Sequence, residues 1–285
     1  MLEGKVTRRS FLNKSMKGIL GVAALFSLPL GYSNQGERFW YKVNQVPISF
    51  NRLPSAFQGL RLVQFSDVHI GHYFAEQHLL KIVEMIQSLR PDMICFTGDL
   101  VEQDGSVLQA CIPVLSKLKA PLGKWAVPGN HDYRGNIHQV VEGLEKADFE
   151  VLINRNKKII KEHQSITMIG VDDSLNGNPN MIKAISGTHE NEFKILLSHI
   201  PDYADIAKHY PIDIQLSGHS HGGQIRIPFY GSVITPIGAK KYIDGLYHIQ
   251  DSNLVLYVNR GIGTTVMPLR FACRPEITLF TFHTK

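Results

Sequence analysis

The sequence predicts an α/β protein in which two mixed β-sheets pack face to face with helices on both outer faces, a four-layer α/β/β/α sandwich. In the first half of the chain, a buried apolar run is followed three times by a polar loop and an amphipathic helix, as in right-handed βαβ units. After residue 150, short strands at close spacing indicate a second sheet. With 285 residues, 44% of them hydrophobic, the chain is long enough to bury the core of one large domain.

The three strand–loop–helix units are defined by short apolar runs and by apolar residues at helical spacing. Pro91 ends the first helix, because proline cannot continue it. We expect strands at 61–66, 93–97 and 125–127 and helices at 79–89, 105–118 and 137–144. The second half predicts strands at 151–153, 157–161, 166–170, 194–198, 213–217, 255–258 and 277–282.

Residues 1–33 have the pattern of an export signal. Five basic residues against one glutamate give this segment a charge of +4, and 18–31 form an apolar run. Arg8-Arg9 before Phe11-Leu12 resembles a twin-arginine signal, so the twin-arginine export machinery is an expected partner, with an ordinary amphipathic helix as the alternative. The run is shorter than the ~20 residues of a spanning helix. Cleavage and retention as a membrane-contacting anchor both stay open, and we expect export across the cytoplasmic membrane to the cell envelope.

Outside the leader the charge is nearly balanced. The whole chain carries +5, so the remainder carries only +1 once the leader's +4 is removed. This balance gives no electrostatic case for a polyanion, and we expect no nucleic-acid partner. The three cysteines, Cys95, Cys111 and Cys273, are too widely spaced for a cysteine metal site and do not form a disulfide framework. Residues 34–58 are predicted to form a linker into the domain, with an edge strand as a further possibility.

Polar side chains follow five of the predicted strands, at the ends where open α/β sheets bind their ligands. The candidates are Asp67, His69, Asp99, Asn130, His131, His199, His219 and His221. Nitrogen and oxygen donors without thiolate fit two divalent ions such as Mn²⁺, Zn²⁺ or Fe²⁺. Two such ions about 3.5–4 Å apart need a bridging carboxylate. Asp99 is the candidate for this bridge, because it follows the central strand. His72 is a weaker ligand candidate.

These residues form an ordered series of motifs: Asp67-x-His69, Gly98-Asp99, Gly129-Asn130-His131-Asp132, His199 and Gly218-His219-x-His221. The series resembles the calcineurin-like metallophosphoesterase superfamily over 60–225. Segments 222–228, 259–263 and 274–277 extend the resemblance to its exported, YkuE-type branch. The resemblance implies the metallo-dependent phosphatase fold over 59–285.

The resemblance also implies roles for the motif residues. It implies that one metal is held by Asp67, His69 and His221, that a second is held by Asn130, His199 and His219, and that Asp99 bridges them. His131 is expected to face the substrate and to stabilise or protonate the departing oxygen, with Asp132 fixing its orientation. The implied reaction is hydrolysis of a phosphomonoester or phosphodiester by a hydroxide that bridges two ions, with Mn²⁺ or Zn²⁺ preferred and Fe²⁺ as a further option.

The sequence is compatible with several substrates and with three functions. A small phosphoester or a lipid-linked or cell-wall-linked phosphate would fit. Two other readings are a pyrophosphatase acting on a nucleotide-linked lipid or sugar of the UDP-diacylglucosamine type, and a metal-stabilised binding domain without chemistry. His131 and Asp132 argue against the binding domain, because a structural metal site does not need them.

Residues of the last quarter are weak candidates for substrate contacts. Lys240, Lys241, Arg270 and Arg274 would bind a distal phosphate or a lipid headgroup, or would simply be solvated. Apolar residues around them would form a wall beside the site for an apolar part of the substrate, or would equally reflect loop packing. They are Phe229, Tyr230, Ile234, Ile237, Tyr242 and Tyr247.

Overall fold

The computed structural model describes residues 30–71, 73–103 and 107–285. Most of the predicted signal segment 1–33, and also His72, lie outside the described residues. Within them the strands are β1 (Lys42–Phe50), β2 (Leu60–Phe65), β3 (Met93–Phe96), β4 (Lys124–Ala126), β5 (Phe149–Val151), β6 (Arg155–Lys161), β7 (Gln164–Gly170), β8 (Phe193–Leu197), β9 (Ile214–Ser217), β10 (Arg226–Ile227), β11 (Gly231–Ser232), β12 (Gly245–His248), β13 (Val255–Val258) and β14 (Glu276–Thr284). The helices are α1 (Glu76–Ser88), α2 (Leu108–Leu115), α3 (Asn130–Arg134), α4 (Ile137–Lys146), α5 (Met181–Ala184) and α6 (Ala204–Ala207).

The strands form two six-stranded mixed sheets, as the sequence predicts. The first has the order β1-β14-β2-β3-β4-β5, in which β2 to β5 are parallel and β14 is antiparallel to β2. The second has the order β12-β13-β9-β8-β7-β6, with antiparallel strands at its two edges. A short hairpin, β10–β11, lies outside both sheets.

Alternating side chains on the central strands explain the layering. In β3, Met93 and Cys95 pack between the two sheets, whereas Ile94 and Phe96 pack toward the outer helices. A strand buried on both faces reads as a continuous apolar run, and this is the pattern of 93–96. Helices α1, α2 and α4 cover the first sheet, and α5 and α6 cover the second. The four-layer sandwich is therefore confirmed.

One element confirms an expected edge strand, and one helix differs from the sequence-based expectation. Residues 34–58 contain a nine-residue edge strand, β1, which pairs in parallel with β14, and Pro47 is tolerated there because an edge strand leaves one side unpaired. Helix α2 is shorter than the predicted 105–118: it ends at Leu115, and Lys117 and Leu118 continue in tighter i→i+3 turns. Within 30–71, 73–103 and 107–285, no helix has the length and hydropathy needed to cross a bilayer.

Candidate metal centre

Five strands of the two sheets end at one edge, and the loops that follow them converge. The first group of ligand atoms belongs to Asp67, His69 and His221. The Nε2 atoms of His69 and His221 are 3.0 Å apart, and Asp67 Oδ1 lies 3.5 Å from His221 Nε2. All three side chains are buried. The loops after β2 and β9 thus bring together the three residues expected to hold one metal.

A second group lies beside the first and consists of Asp99, His199 and His219. His199 Nε2 is 3.2 Å from Asp99 Oδ2 and 3.2 Å from His219 Nδ1. The same Asp99 oxygen is 3.6 Å from His69 Nε2, so this carboxylate lies between the two groups. Asn130 begins α3 directly after the β4 loop, and its buried Oδ1 has no hydrogen-bond partner among the described residues. A buried acceptor without a donor fits a role as a metal ligand.

Hydrogen bonds on the outer side of the imidazoles determine which nitrogens face inward. His199 Nδ1 donates to the Thr97 carbonyl at 2.7 Å, and His219 Nε2 donates to the Ile237 carbonyl at 2.8 Å. The other nitrogens, His199 Nε2 and His219 Nδ1, then face each other with lone pairs at 3.2 Å. Such an arrangement needs a cation between or beside them, either a proton or a metal. The residues present therefore fit two divalent ions.

Burial and the two carboxylates, Asp67 and Asp99, dominate the electrostatics of these side chains. Burial alone would lower the pKa of His199, but the carboxylates, Asp99 foremost, raise it to about 10. Burial, assisted by His199, lowers the pKa of His219 to about 3. Burial raises the pKa of Asp67, whereas His199 and His69 outweigh burial at Asp99 and hold its pKa well below the usual value. A proton on His199 thus occupies the second group when no metal is bound.

Glycines permit the close approach of these loops. Gly98 has φ +92°, and a Cβ there would lie 2.7 Å from both the Gly129 nitrogen and His199 Nδ1. A Cβ at Gly218 would overlap Ser66 Oγ and the Asp67 carboxylate, which accepts hydrogen bonds from the His219 amide at 2.9 and 3.0 Å. Neither position accommodates a side chain, so both glycines are required by packing against the ligands.

Glu102 is a site residue that the motif analysis missed. Its Oε2 lies 2.6 Å from His69 Nδ1 and 3.2 Å from His131 Nδ1. One carboxylate therefore contacts both a ligand of the first group and the histidine expected to face the substrate. These histidines hold the pKa of Glu102 well below its usual value despite burial. The sequence offers one indication of this role: Glu102 is a carboxylate three residues after Asp99, in the same loop.

The contacts of Asp132 correct the role expected for it. Its carboxylate accepts hydrogen bonds from four backbone amides, those of Gly129, Asp99, Leu100 and Val101, at 2.8–3.2 Å. Asp132 therefore ties the loop after β3 to the start of α3. The orientation of His131 comes instead from Glu102 and from the Asp99 Oδ1 atom, which accepts a hydrogen bond from the His131 amide at 2.8 Å.

The four basic residues of the last quarter that were candidates for substrate contacts all contact other parts of the protein. Arg270 is wholly buried; its guanidinium donates to the carbonyls of residues 260, 261, 263 and 273 and lies 3.4 Å from His221 Nδ1. Arg274 stacks on Trp40, at 3.9 Å from the ring centre. Lys241 Nζ pairs with Asp205 at 2.6 Å, and Lys240 Nζ donates to the Thr235 carbonyl. Arg270 is thus a support for His221, which corrects its assignment as a substrate contact.

Comparison with known proteins identifies the family. The Calcineurin-like phosphoesterase family profile matches residues 60–223, more than half of the chain. The chain belongs to this family. It is 40% identical over 282 residues to the "Uncharacterized metallophosphoesterase YkuE" of Bacillus subtilis, covering 97% of this chain and 98% of that protein. Members of the family are hydrolases of phosphoric esters, and this chain is accordingly a metallophosphoesterase.

This chain spans nearly all of some similar proteins and only part of others. "Phosphodiesterase YaeI" of Escherichia coli is 28% identical over 278 residues, covering 96% of this chain and 98% of that protein. The "Transmembrane protein with metallophosphoesterase domain" of Danio rerio is 32% identical, covering 83% of this chain and 56% of that protein. Among solved structures, TT1561 of Thermus thermophilus aligns with a TM-score of 0.48 and 14% identity, over 72% of this chain and 91% of that one. With the two ligand groups, family membership indicates a dinuclear site for divalent ions.

Proposed function

We propose that this metallophosphoesterase hydrolyses a phosphomonoester or phosphodiester outside the cytoplasmic membrane, with two divalent ions, Mn²⁺ or Zn²⁺ and Fe²⁺ as a further option. The observation that carries the proposal is the pair of ligand groups joined by Asp99, whose Oδ2 lies 3.2 Å from His199 Nε2 and 3.6 Å from His69 Nε2. One ion would be held by Asp67, His69, Asp99 and His221, and the other by Asp99, Asn130, His199 and His219. When bound, the ions would activate water and neutralise the phosphoryl oxygens.

The chain's own residues would supply the proton for the departing oxygen. His131 Nδ1 lies 3.2 Å from the Glu102 carboxylate, and this contact, with the nearby Asp99, outweighs partial burial and raises the pKa of His131. The raised pKa favours the protonated imidazole, which would give the proton on Nε2 to the departing oxygen. Arg134 Nη1 lies 3.5 Å from that Nε2. Two cationic groups side by side would attract an anionic ester.

Substrate class and location are supported by less direct observations. The Escherichia coli relative is named a phosphodiesterase, which supports diesters among the substrates. The basic pair Arg8-Arg9 and the apolar run 18–31 support export by the twin-arginine route. Replacing Arg8 and Arg9 with lysine should retain the protein in the cytoplasm, as measured by cell fractionation. Unchanged export of this variant would contradict the twin-arginine assignment.

The test of the activity is hydrolysis of p-nitrophenyl phosphate, bis-p-nitrophenyl phosphate and a nucleotide-diphosphate-linked lipid, with metal content measured alongside. His131→Ala should keep both ions while kcat falls by roughly 10²–10⁴, as for the loss of one acid–base group. The exposed His138 on α4 provides a matched control, and His138→Ala should match the unsubstituted chain. Full metal occupancy without any hydrolysis would favour the binding-domain alternative, and cleavage of the pyrophosphate linkage alone would favour the pyrophosphatase.

A further inference from the structure

Large apolar side chains are exposed in two loops beside the metal centre. One loop spans the β10–β11 hairpin and the segment after it, and the other precedes Arg270. We call these side chains the apolar rim: Phe229, Tyr230, Ile234, Ile237, Val266 and Met267. Phe229 is fully exposed, and Ile234, Ile237 and Val266 are 74%, 75% and 78% exposed. Several large exposed apolar side chains in neighbouring loops mark an interaction surface more often than scattered single ones do.

Backbone and side-chain contacts fix both loops to the loop that carries His219 and His221. The Ile237 carbonyl accepts the hydrogen bond from His219 Nε2 at 2.8 Å. Gln224 Nε2 donates to the carbonyls of Thr265 and Met267 at 3.1 and 3.0 Å. Both loops of the apolar rim are therefore attached to the loop that carries two of the candidate metal ligands.

The amino-terminal part of the described chain joins the domain at the same place. The Arg270 amide donates to the Ser33 carbonyl at 3.1 Å, and Asn34 Nδ2 donates to the Pro268 carbonyl at 3.1 Å. Pro268 directly follows Met267, a member of the rim. The described residues that follow the apolar run 18–31 in sequence thus contact the domain next to the apolar rim. A membrane-associated leader would hold this side of the domain toward the bilayer.

Basic groups flank the apolar side chains. Lys240 and Lys241 are exposed; Lys240 Nζ donates to the carbonyl of Thr235, between two members of the rim, whereas Lys241 Nζ pairs with Asp205. Apolar and aromatic side chains next to lysines are the combination that binds the headgroup region of anionic membranes, because the chains enter the acyl boundary while the ammonium groups contact phosphates.

We propose that the apolar rim docks on the surface of an anionic lipid bilayer, with the metal centre facing that surface. This surface goes beyond the proposed hydrolysis and does not depend on it, because binding requires no turnover. A second copy of the chain is the competing occupant, and the experiment below distinguishes the two.

The test places a polarity-sensitive nitrobenzoxadiazole label at Phe229→Cys in the full chain and, as a control, at Ile160→Cys, a residue that is 68% exposed on β6. The native cysteines are buried. Vesicles containing phosphatidylglycerol should shift the Phe229→Cys emission to the blue and allow quenching by brominated acyl chains, whereas the Ile160→Cys label should stay aqueous. Because the label reports local contact, tethering through the leader alone cannot mimic this result.

A second measurement asks whether the rim contributes to binding. Combined replacement of Phe229, Ile234 and Val266 with serine should weaken vesicle binding on the order of a hundredfold, since three large apolar groups are lost. Equal responses of the two labels, or an unchanged affinity of the triple variant, would overturn the proposal. A blue shift without vesicles, together with a dimer that the triple variant abolishes, would assign the rim to a second copy. An equal response to pure phosphatidylcholine vesicles would refute the role of anionic lipid.

Discussion

Replacing Glu102 with glutamine tests the link between metal binding and proton donation. The substitution preserves volume but removes the charge that lies 3.2 Å from His131 Nδ1 and 2.6 Å from His69 Nδ1. This contact raises the pKa of His131. If His131 gives a proton to the departing oxygen, its protonated form is the active one. In Glu102→Gln the pKa of His131 should fall toward its ordinary value, and the alkaline limb of the kcat profile should move to lower pH.

The size of the shift follows from the contact. Both side chains are nearly buried, so solvent screening is weak. A hydrogen bond to a charged group contributes about 1.5–3 kcal/mol. Since one pKa unit corresponds to about 1.4 kcal/mol, the alkaline limb should move by about one to two units. The loss of the carboxylate behind His69 should also weaken metal binding by roughly 10–100-fold, as for other groups that orient a ligand.

The assay is a kcat profile with p-nitrophenyl phosphate esters at saturating metal, so that weaker metal binding does not reduce the rate. Metal affinity is measured separately by competition with a chelator. Glu142→Gln is the matched control, because Glu142 pairs with Lys146 on the exposed face of α4. Its profile and metal affinity should equal those of the unsubstituted chain. If Glu102→Gln kept the alkaline limb in place while metal affinity fell, Glu102 would serve only His69, and another group would donate the proton.

Three further predictions concern the ligands and their loops. Asp99→Asn should lose both ions and all activity, because Asp99 lies between the two ligand groups. Metal analysis after dialysis measures this, and retention of two ions would show that Asp99 does not bridge them. Metal affinity should rise about tenfold per pH unit between pH 7 and 9, since the proton that His199 holds below its pKa of about 10 must be displaced; calorimetry in two buffers should show one proton released. Gly218→Ala should lower metal content, because its Cβ overlaps Ser66 and Asp67; normal occupancy would contradict this packing argument.

Most of the fold was predictable from the sequence because its central strands are buried on both faces. Such strands read as apolar runs, and the helices that cover them show apolar residues at helical spacing. Strand β1 was expected only as an edge addition within the linker 34–58. Only two of its nine residues are fully buried, and it pairs with β14, more than 200 residues away in sequence. Pairing over such a distance leaves no local signal.

The ligand set was predictable for a related reason: each ligand follows a strand, and the carboxyl ends of parallel strands meet. The supporting contacts were not. Whether a carboxylate binds a neighbouring imidazole, as Glu102 does, or backbone amides, as Asp132 does, depends on loop geometry. Arg270 would be expected at the surface, yet it is buried because backbone carbonyls accept from its guanidinium. These carbonyls surround the guanidinium only in the folded chain, so the sequence alone does not indicate that Arg270 is buried.

The backbone of the ligand loops shows how the fold and the metal centre depend on each other. Asp67, His69, Asp99, His219 and His221 all have φ between +50° and +68°, a conformation that costs residues other than glycine on the order of 1–2 kcal/mol each. Together this approaches the total stability of an ordinary domain, about 5–15 kcal/mol. The loops hold this conformation because each is hydrogen-bonded to its neighbours: the Asp67 amide donates to the Gly98 carbonyl, and the His219 amide donates to Asp67. The sandwich therefore supplies the energy that keeps the ligands arranged before any ion arrives, and bound ions should stabilise the folded chain further.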